Sequence, residues 1–241
     1  MLGKLPSIAA LLALSLTAQA SLIFKNPGTT SGWNKINQEH KGTVKQVTDE
    51  AYEGKTALKM TQIYDKSYSG RYHSEVVKND IYKRGDAGAY GIAQFIGDFT
   101  DSGCDDWMPT TMVALKGNKL YTRVKQGSVC KQNVKGFNNL ATVTAGEWHR
   151  VEIEAKWESD ETGYFRVWYD GEKVLDEKDL ITTIDGDAAF QFRAGLYANG
   201  WHDDKEMKGS QGTRSVWYDE IAAGTKLADI EAEAKIDAGD C

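Results

Sequence analysis

The sequence predicts an all-β chain folded as an antiparallel two-sheet sandwich, and three observations carry that expectation. Glycine is abundant and proline scarce, 24 against 3. Short runs of alternating apolar and polar residues recur along the chain, and long helical periods are few. Strands at this density within 241 residues suit one large sandwich with a sizeable core.

Taken in order, the first twenty residues carry Lys4, an apolar run from Ile8 to Leu16, and Ala18-Gln19-Ala20 ahead of Ser21. This is the pattern of a secretory signal peptide with a small-x-small cleavage site. The run is too short to span a bilayer, and no later stretch is long enough. The expectation is therefore an exported, soluble chain from Ser21 onward, with no membrane association. Alternation then predicts strands at 42–47, 57–63, 72–77, 90–99, 112–115, 119–125, 148–157, 163–169, 173–178, 189–197 and 214–222. Lys116-Gly117-Asn118 and Tyr169-Asp170-Gly171-Glu172 read as hairpin turns, with glycine where a positive φ is wanted. Trp148, Val151, Ile153 and Ala155, followed by Phe165, Val167 and Tyr169, read as packing positions. The domain is expected to end at Leu227, and 228–241 reads as an acidic, solvated tail.

Cys104 and Cys130 are expected to form a disulfide that closes a loop at the ends of neighbouring strands. Cys241 is left unpaired. The net charge of −6, with scattered Lys and Arg, gives no footprint for nucleic acid. An acidic chain can still hold an acidic polymer where its cations converge, because the local field steers the ligand.

The polar strand faces show where they converge. Successive strand residues point to opposite faces, so Gln191, Arg193, Gly195 and Tyr197 share one face and Phe190, Phe192, Ala194 and Leu196 the other. By the same rule Arg71, His73 and Glu75 oppose Tyr72, Ser74 and Val76. Gln94 lies between Ile92 and Ile96 and reads as a buried or cleft amide, while Tyr121, Arg123 and Lys125 align on one further face. Arginine and lysine hold anions and aromatic faces stack on sugar rings, so these strands suit a polymer bearing carboxylates. Glu75 alone is acidic among them, which disfavours the two-carboxylate pair of a glycoside hydrolase. β-Elimination fits better: the carboxylate charge of a uronic acid is neutralised, its C5 proton is removed, and the C4 oxygen leaves with a proton. A non-catalytic carbohydrate-binding sandwich is the alternative, and it has no need of Tyr197, His73 and Gln94 together.

Arg-Tyr-His-Ser-Glu-Val (71–76), Ala-Gln-Phe-Ile (93–96) and Phe-Arg-Ala-Gly-Leu-Tyr-Ala-Asn-Gly-Trp-His (192–202) resemble three strands of the β-jelly-roll polysaccharide lyases. With Gly-Cys-Asp-Asp-Trp-Met-Pro (103–109) and Val-Trp-Tyr-Asp-Glu-Ile (216–221), the pattern is most similar to the fungal glucuronan lyases of polysaccharide lyase family twenty. The resemblance implies a concanavalin A-like jelly roll and endolytic cleavage of β-1,4-linked polyglucuronic acid to unsaturated oligosaccharides, with alginate or another uronate polymer as the variant substrate. It implies Gln94 as neutraliser of the uronate carboxylate, helped by Arg71 or Arg193, and Tyr197 as proton donor and possible base. His73 is the competing base or a neutraliser. Glu75, Arg123, Lys125, Gln191, Arg193 and Trp201 would bind substrate. The pattern departs at Ile96, where related alginate lyases carry histidine, and at His73, where they carry arginine. The segment from Gly85 to Gln94 is read as shorter than the family's, which has room for an additional strand. The family also suggests a structural Ca²⁺ held by Asp219 with backbone oxygens near Asn26 and Gly54. The expected state is a monomer.

Overall fold

Phe190, Phe192 and Ala194 are buried while Gln191, Arg193 and Gly195 are only half-buried, and the same alternation recurs from strand to strand to enclose a single main core. The structure is a computed structural model. It describes residues 21–230 apart from 91–92, 105–106, 187–188, 199 and 204–210, and the side chains at 88–90 and 202–203 are left aside. The expected signal peptide, Cys241 and Ile92 lie outside the described residues.

The strands, in chain order, are β1 (Leu22–Asn26), β2 (Lys35–Gln38), β3 (Thr43–Val47), β4 (Ala57–Ile63), β5 (His73–Tyr82), β6 (Ala87–Tyr90), β7 (Gln94–Asp98), β8 (Trp107–Lys116), β9 (Lys119–Ser128) and β10 (Lys131–Thr142). They continue as β11 (Val151–Lys156), β12 (Tyr164–Tyr169), β13 (Glu172–Glu177), β14 (Phe190–Tyr197), β15 (Thr213–Tyr218) and β16 (Ile221–Gly224). The front sheet runs β10-β9-β8-β7-β14-β5-β2, the back sheet β1-β16-β6-β11-β12-β13, and a small sheet β15-β4-β3 flanks them. The pairings are antiparallel throughout, for example β14 with β5 and β7.

Most predicted strands are present, and the differences have local causes. The stretch 90–99 does not run through as one strand: β6 ends at Tyr90 in the back sheet and β7 begins at Gln94 in the front sheet. The segment read as abbreviated therefore still supplies a strand. The stretch 214–222 breaks at Asp219 and Glu220, where Glu220 has φ 46° and turns the chain from β15 to β16. β1, β2 and β10 were not predicted, because β1 and β2 are short and β10 is largely exposed and polar.

Phe95, Phe192, Trp157, Phe165, Leu58 and Met60 are fully buried between the sheets. Trp157 stacks on Tyr82 at 4.6 Å and meets Phe95 at 4.9 Å, and each such aromatic pair adds about 0.5–1.5 kcal/mol beyond its buried area. Val151, Ile153, Ala155, Phe165 and Val167 face this core as expected. Both hairpins form: Asp170 and Gly171 have φ of 49° and 82°, and Gly117 has φ 63°. Cys104 and Cys130 are disulfide-bonded, with Cα atoms 5.2 Å apart, within the normal span. The domain body continues past Leu227. Asp229 and Ile230 are buried, and Asp229 Oδ2 accepts from the Ser21 amide at 3.2 Å, the Thr225 hydroxyl at 2.7 Å and the Lys226 amide at 2.9 Å.

Candidate active site

The order of the front sheet puts the predicted polar faces side by side. In register across it, Val77 pairs with Arg193, Arg193 with Gln94, Gln94 with Met112, and Met112 with Arg123. One row therefore carries Arg193, Gln94, Met112 and Arg123. In neighbouring rows Glu75 pairs with Gly195 and Asn37, and His73 with Tyr197. Arg71, His73, Glu75, Gln94, Tyr121, Arg123, Lys125, Gln191, Arg193, Tyr197 and Trp201 all line one cleft, so the expected site residues come together.

Their exposure and bonding differ more than their residue types suggest. Gln94 is 7% exposed, and its amide makes no hydrogen bond among the described residues. Its amide atoms are not among the enclosed unpartnered ones, so the group opens onto the cleft and can bond a ligand there. Arg71 is exposed at the cleft and forms no ion pair with a described residue. Arg193, by contrast, is engaged: Nη1 reaches Glu75 Oε1 at 3.1 Å, and Nε and Nη2 reach Gln191 Oε1 at 3.0 and 2.6 Å. Gln191 in turn donates to Asn79 at 3.0 Å. Lys125 donates to Gln132 at 2.7 Å and Arg123 Nε approaches Met112 Sδ at 2.9 Å.

Glu75 and Trp201, expected as substrate contacts, both lie on the cleft but are buried. Glu75 is fully buried, and its carboxylate accepts from Asn37 Nδ2 at 2.6 Å, from Arg193 and from the Tyr197 hydroxyl. It is enclosed by the side chains bonded to it, Asn37 from the neighbouring strand β2 on one side and Arg193 and Tyr197 from β14 on the other. Trp201 is 9% exposed within a cluster with Tyr72 and Ala198, edge-on to Tyr72 at 5.1 Å. Its indole donates to Gln211 at 2.7 Å. This ring packs and offers no open face to a sugar.

His73 lies tilted against Tyr197, ring centroids 4.8 Å apart. Its Nδ1 is 3.5 Å from Glu39 Oε2, and its Nε2 is buried without a hydrogen-bond partner. Behind the site, the Tyr218 hydroxyl donates to the Gly195 carbonyl at 2.9 Å. Desolvation pushes the Tyr218 phenol up to about 12, the hydrogen bond to Gly195 opposing it.

Two contributors escape a sequence reading. Asn37 sits on the short β2, whose four residues show too little alternation to register. Trp107 stands 45% exposed on the cleft, with the Arg193 guanidinium 5.9 Å from its ring centre. Its position in the Gly-Cys-Asp-Asp-Trp-Met-Pro stretch was the available signal.

A family model described as "Polysaccharide lyase" matches residues 25–222. The chain belongs to the polysaccharide lyase family. Among solved structures, the endo-β-1,4-glucuronan lyase from the fungus Trichoderma reesei is similar at 47% identity and TM-score 0.83, covering 87% of this chain and 98% of that one. The binding domain of botulinum neurotoxin serotype G is similar in fold alone, at 10% identity and TM-score 0.52 over 91% of this chain and 52% of that one. The alginate lyase AlyC3 is matched at 11% identity and TM-score 0.46 over 71% of this chain and 75% of that one, too distant to carry an argument. Comparison with curated proteins gives no significant match. The fold is thus the jelly-roll sandwich of this lyase family, and the protein is a lyase that acts on an acidic polysaccharide.

The expected calcium residues gather at one end of the sandwich. Asp219 Oδ2 accepts from the Tyr52 and Glu53 amides at 2.8 and 3.1 Å, beside Gly54, and Asn26 pairs with Ile221. The Asn26 side chain is committed to its own turn through Thr29 and Ser31. Among the described residues no group of three or more His, Cys, Asp or Glu gathers that could hold a metal. Asp219 is the one carboxylate there, and its other oxygen, Oδ1, accepts from the Glu220 amide at 2.9 Å, so a hard cation would draw most of its shell from backbone oxygens.

Proposed function

We propose that the protein cleaves β-1,4-linked polyglucuronic acid by β-elimination, leaving a C4 to C5 double bond on the new non-reducing end. The observation that carries the reading is Gln94, a cleft amide without a partner, set in register beside Arg193 on the sheet face that also bears Tyr197. The 47% identity to a glucuronan lyase supports the choice of polymer.

Gln94 donates to the uronate carboxylate and Arg71 pairs with it. Together they draw charge off the carboxylate and make the C5 proton removable. Arg193 contributes field from beside this position and keeps its own bonds to Glu75 and Gln191. Tyr197 takes the C5 proton and protonates the C4 oxygen as it leaves. Arg123 and Lys125 bind carboxylates of sugars further along the cleft, and Trp107 stacks on a ring. The unpartnered Nε2 of His73 favours a second reading, in which His73 takes the C5 proton and Tyr197 only donates.

The proposal includes export directed by residues 1–20 and action as a monomer outside the cell. No described helix is long and apolar enough to cross a membrane. It also includes a structural Ca²⁺ at Asp219 that ties the turn after Tyr52 to the end of β15.

The test is the ultraviolet absorbance of the conjugated product, followed with purified protein on glucuronan, alginate and pectate, beside Tyr197→Phe and His73→Ala. A rise on glucuronan that Tyr197→Phe abolishes is the expected result. A folded protein that binds the polymer without any rise would overturn it. Turnover lost in both variants would select the second reading.

A further inference from the structure

Glu75 is the buried group for which substrate binding has no use. It is fully enclosed, yet it is a carboxylate with a donor on each side: Asn37 and Arg193 on Oε1 and the Tyr197 hydroxyl on Oε2. A purely structural ion pair with Arg193 would be complete without Tyr197, so the third partner needs a reason. The backbone is arranged for it. Residue 195 pairs directly with Glu75, and a Cβ there would lie 2.5 Å from Glu75 Cβ and 2.6 Å from the Ser74 carbonyl oxygen. Only glycine at 195 lets the Glu75 side chain lean between residues 193 and 197 and touch both.

The direction of the hydrogen bond decides the chemistry. Because the phenol of Tyr197 spends its proton on Glu75, the phenolic oxygen has lone pairs left to face the cleft. A neutral phenol is a poor base unless its own proton has somewhere to go. Glu75 is such a place, and its two bonds on Oε1 leave Oε2 to take it.

We propose that Glu75 is a positioning residue that acts through Tyr197 as the two-way holder of its proton; this rests on the elimination reading above. As the C5–H bond breaks, its electron pair is held on C5 and the neutralised carboxylate. The Tyr197 oxygen takes the C5 proton and passes its own to Glu75 Oε2. The pair on C5 then forms the C4 to C5 double bond as the C4–O bond breaks with its own electron pair on oxygen. Tyr197 gives that oxygen a proton and recovers the one held by Glu75. The net change is one proton moved from C5 to the C4 oxygen, with both side chains restored and no other reactant required. The charged and titratable groups around Glu75 are Arg193 and Tyr197 on β14, His73 on its own strand, and Arg71 and Lys35 at the cleft.

The experiment compares Glu75→Gln and Glu75→Asp with wild-type protein on glucuronan, reading kcat, KM and the pH profile of kcat, with circular dichroism and melting temperature as controls of folding. Glutamine can keep the hydrogen bond from Tyr197 but cannot accept its proton. Expected for Glu75→Gln is a fall in kcat of about 100-fold or more, KM within about twofold of wild type, and a limb of the pH profile lost. Glu75→Asp keeps the charge beside Arg193 but draws it back by one methylene, and is expected to lower kcat without raising KM. It carries the test if Glu75→Gln does not fold. Unchanged kcat and pH profile in a folded variant, or a change in KM alone, overturns the proposal while the lyase reading stands. A wild-type protein that makes no unsaturated product on any uronate polymer removes both.

Discussion

The hydroxyl of Tyr197 donates to the carboxylate of Glu75 diagonally across the β5–β14 pair, over the bare backbone of Gly195. The contact joins a groove residue to a fully buried one, and it depends on a position without a side chain. Gly195→Ala would force its Cβ against Glu75 Cβ and the Ser74 carbonyl, and backbone cannot yield as a flexible side chain can. We expect a loss of about 1–3 kcal/mol in stability and a fall in kcat larger than the change in KM. Thermal unfolding and steady-state kinetics on the same preparation check both.

Gln94 separates function from stability. Its amide opens onto the cleft and bonds to no described residue, so Gln94→Leu breaks no internal bond and is expected to change stability by no more than about 0.5 kcal/mol. The same change takes away a donor to the uronate carboxylate and should lower kcat/KM by about 100-fold or more. A variant that loses stability along with activity would mean that the amide has a structural partner.

Tyr218 makes an alkaline prediction. Its phenol is raised from 10.0 to about 12 in the fold. The unfolded chain therefore releases this proton first as pH rises, so the stabilisation is complete below pH 10 and is lost between about pH 10 and 12. Tyr218→Phe forfeits the bond to the Gly195 carbonyl, about 1 kcal/mol at neutral pH. Its stability should then fall less steeply than wild type across the alkaline window, as urea unfolding at stepped pH would read.

The Cys104–Cys130 disulfide ties the segment before β8 to the β9–β10 turn and closes a loop of 26 residues. Replacing both with serine should cost about 3 kcal/mol and lower the melting temperature, with KM nearly unchanged because neither cysteine lines the cleft. Equal melting of the two proteins would deny the bond a stabilising role.

Calcium is tested by titration. Added Ca²⁺ should raise the melting temperature of the chelated protein, and Asp219→Ala should abolish the rise, since one carboxylate anchors the proposed site. No shift in the wild-type protein would remove the cation from the account.

The sequence by itself determined which residues share a face. A period of two is a local property of extended backbone, so the sets Arg71-His73-Glu75, Gln191-Arg193-Gly195-Tyr197 and Tyr121-Arg123-Lys125 could be read without a neighbour in view, and so could the glycine turns at 117 and 171. What lies beside each face is decided by hydrogen bonding between segments far apart in the chain. Only the tertiary structure could set β14 between β7 and β5, and thereby place Arg193 against Gln94 and Tyr197 against His73. Burial has the same origin. Glu75 and Trp201 carry residue types suited to a sugar groove, but the side chains of Asn37, Arg193 and Tyr197 enclose the first and Tyr72 and its neighbours enclose the second. Alternation says which way a side chain points; whether water or protein meets it there depends on what else the fold brings to that place.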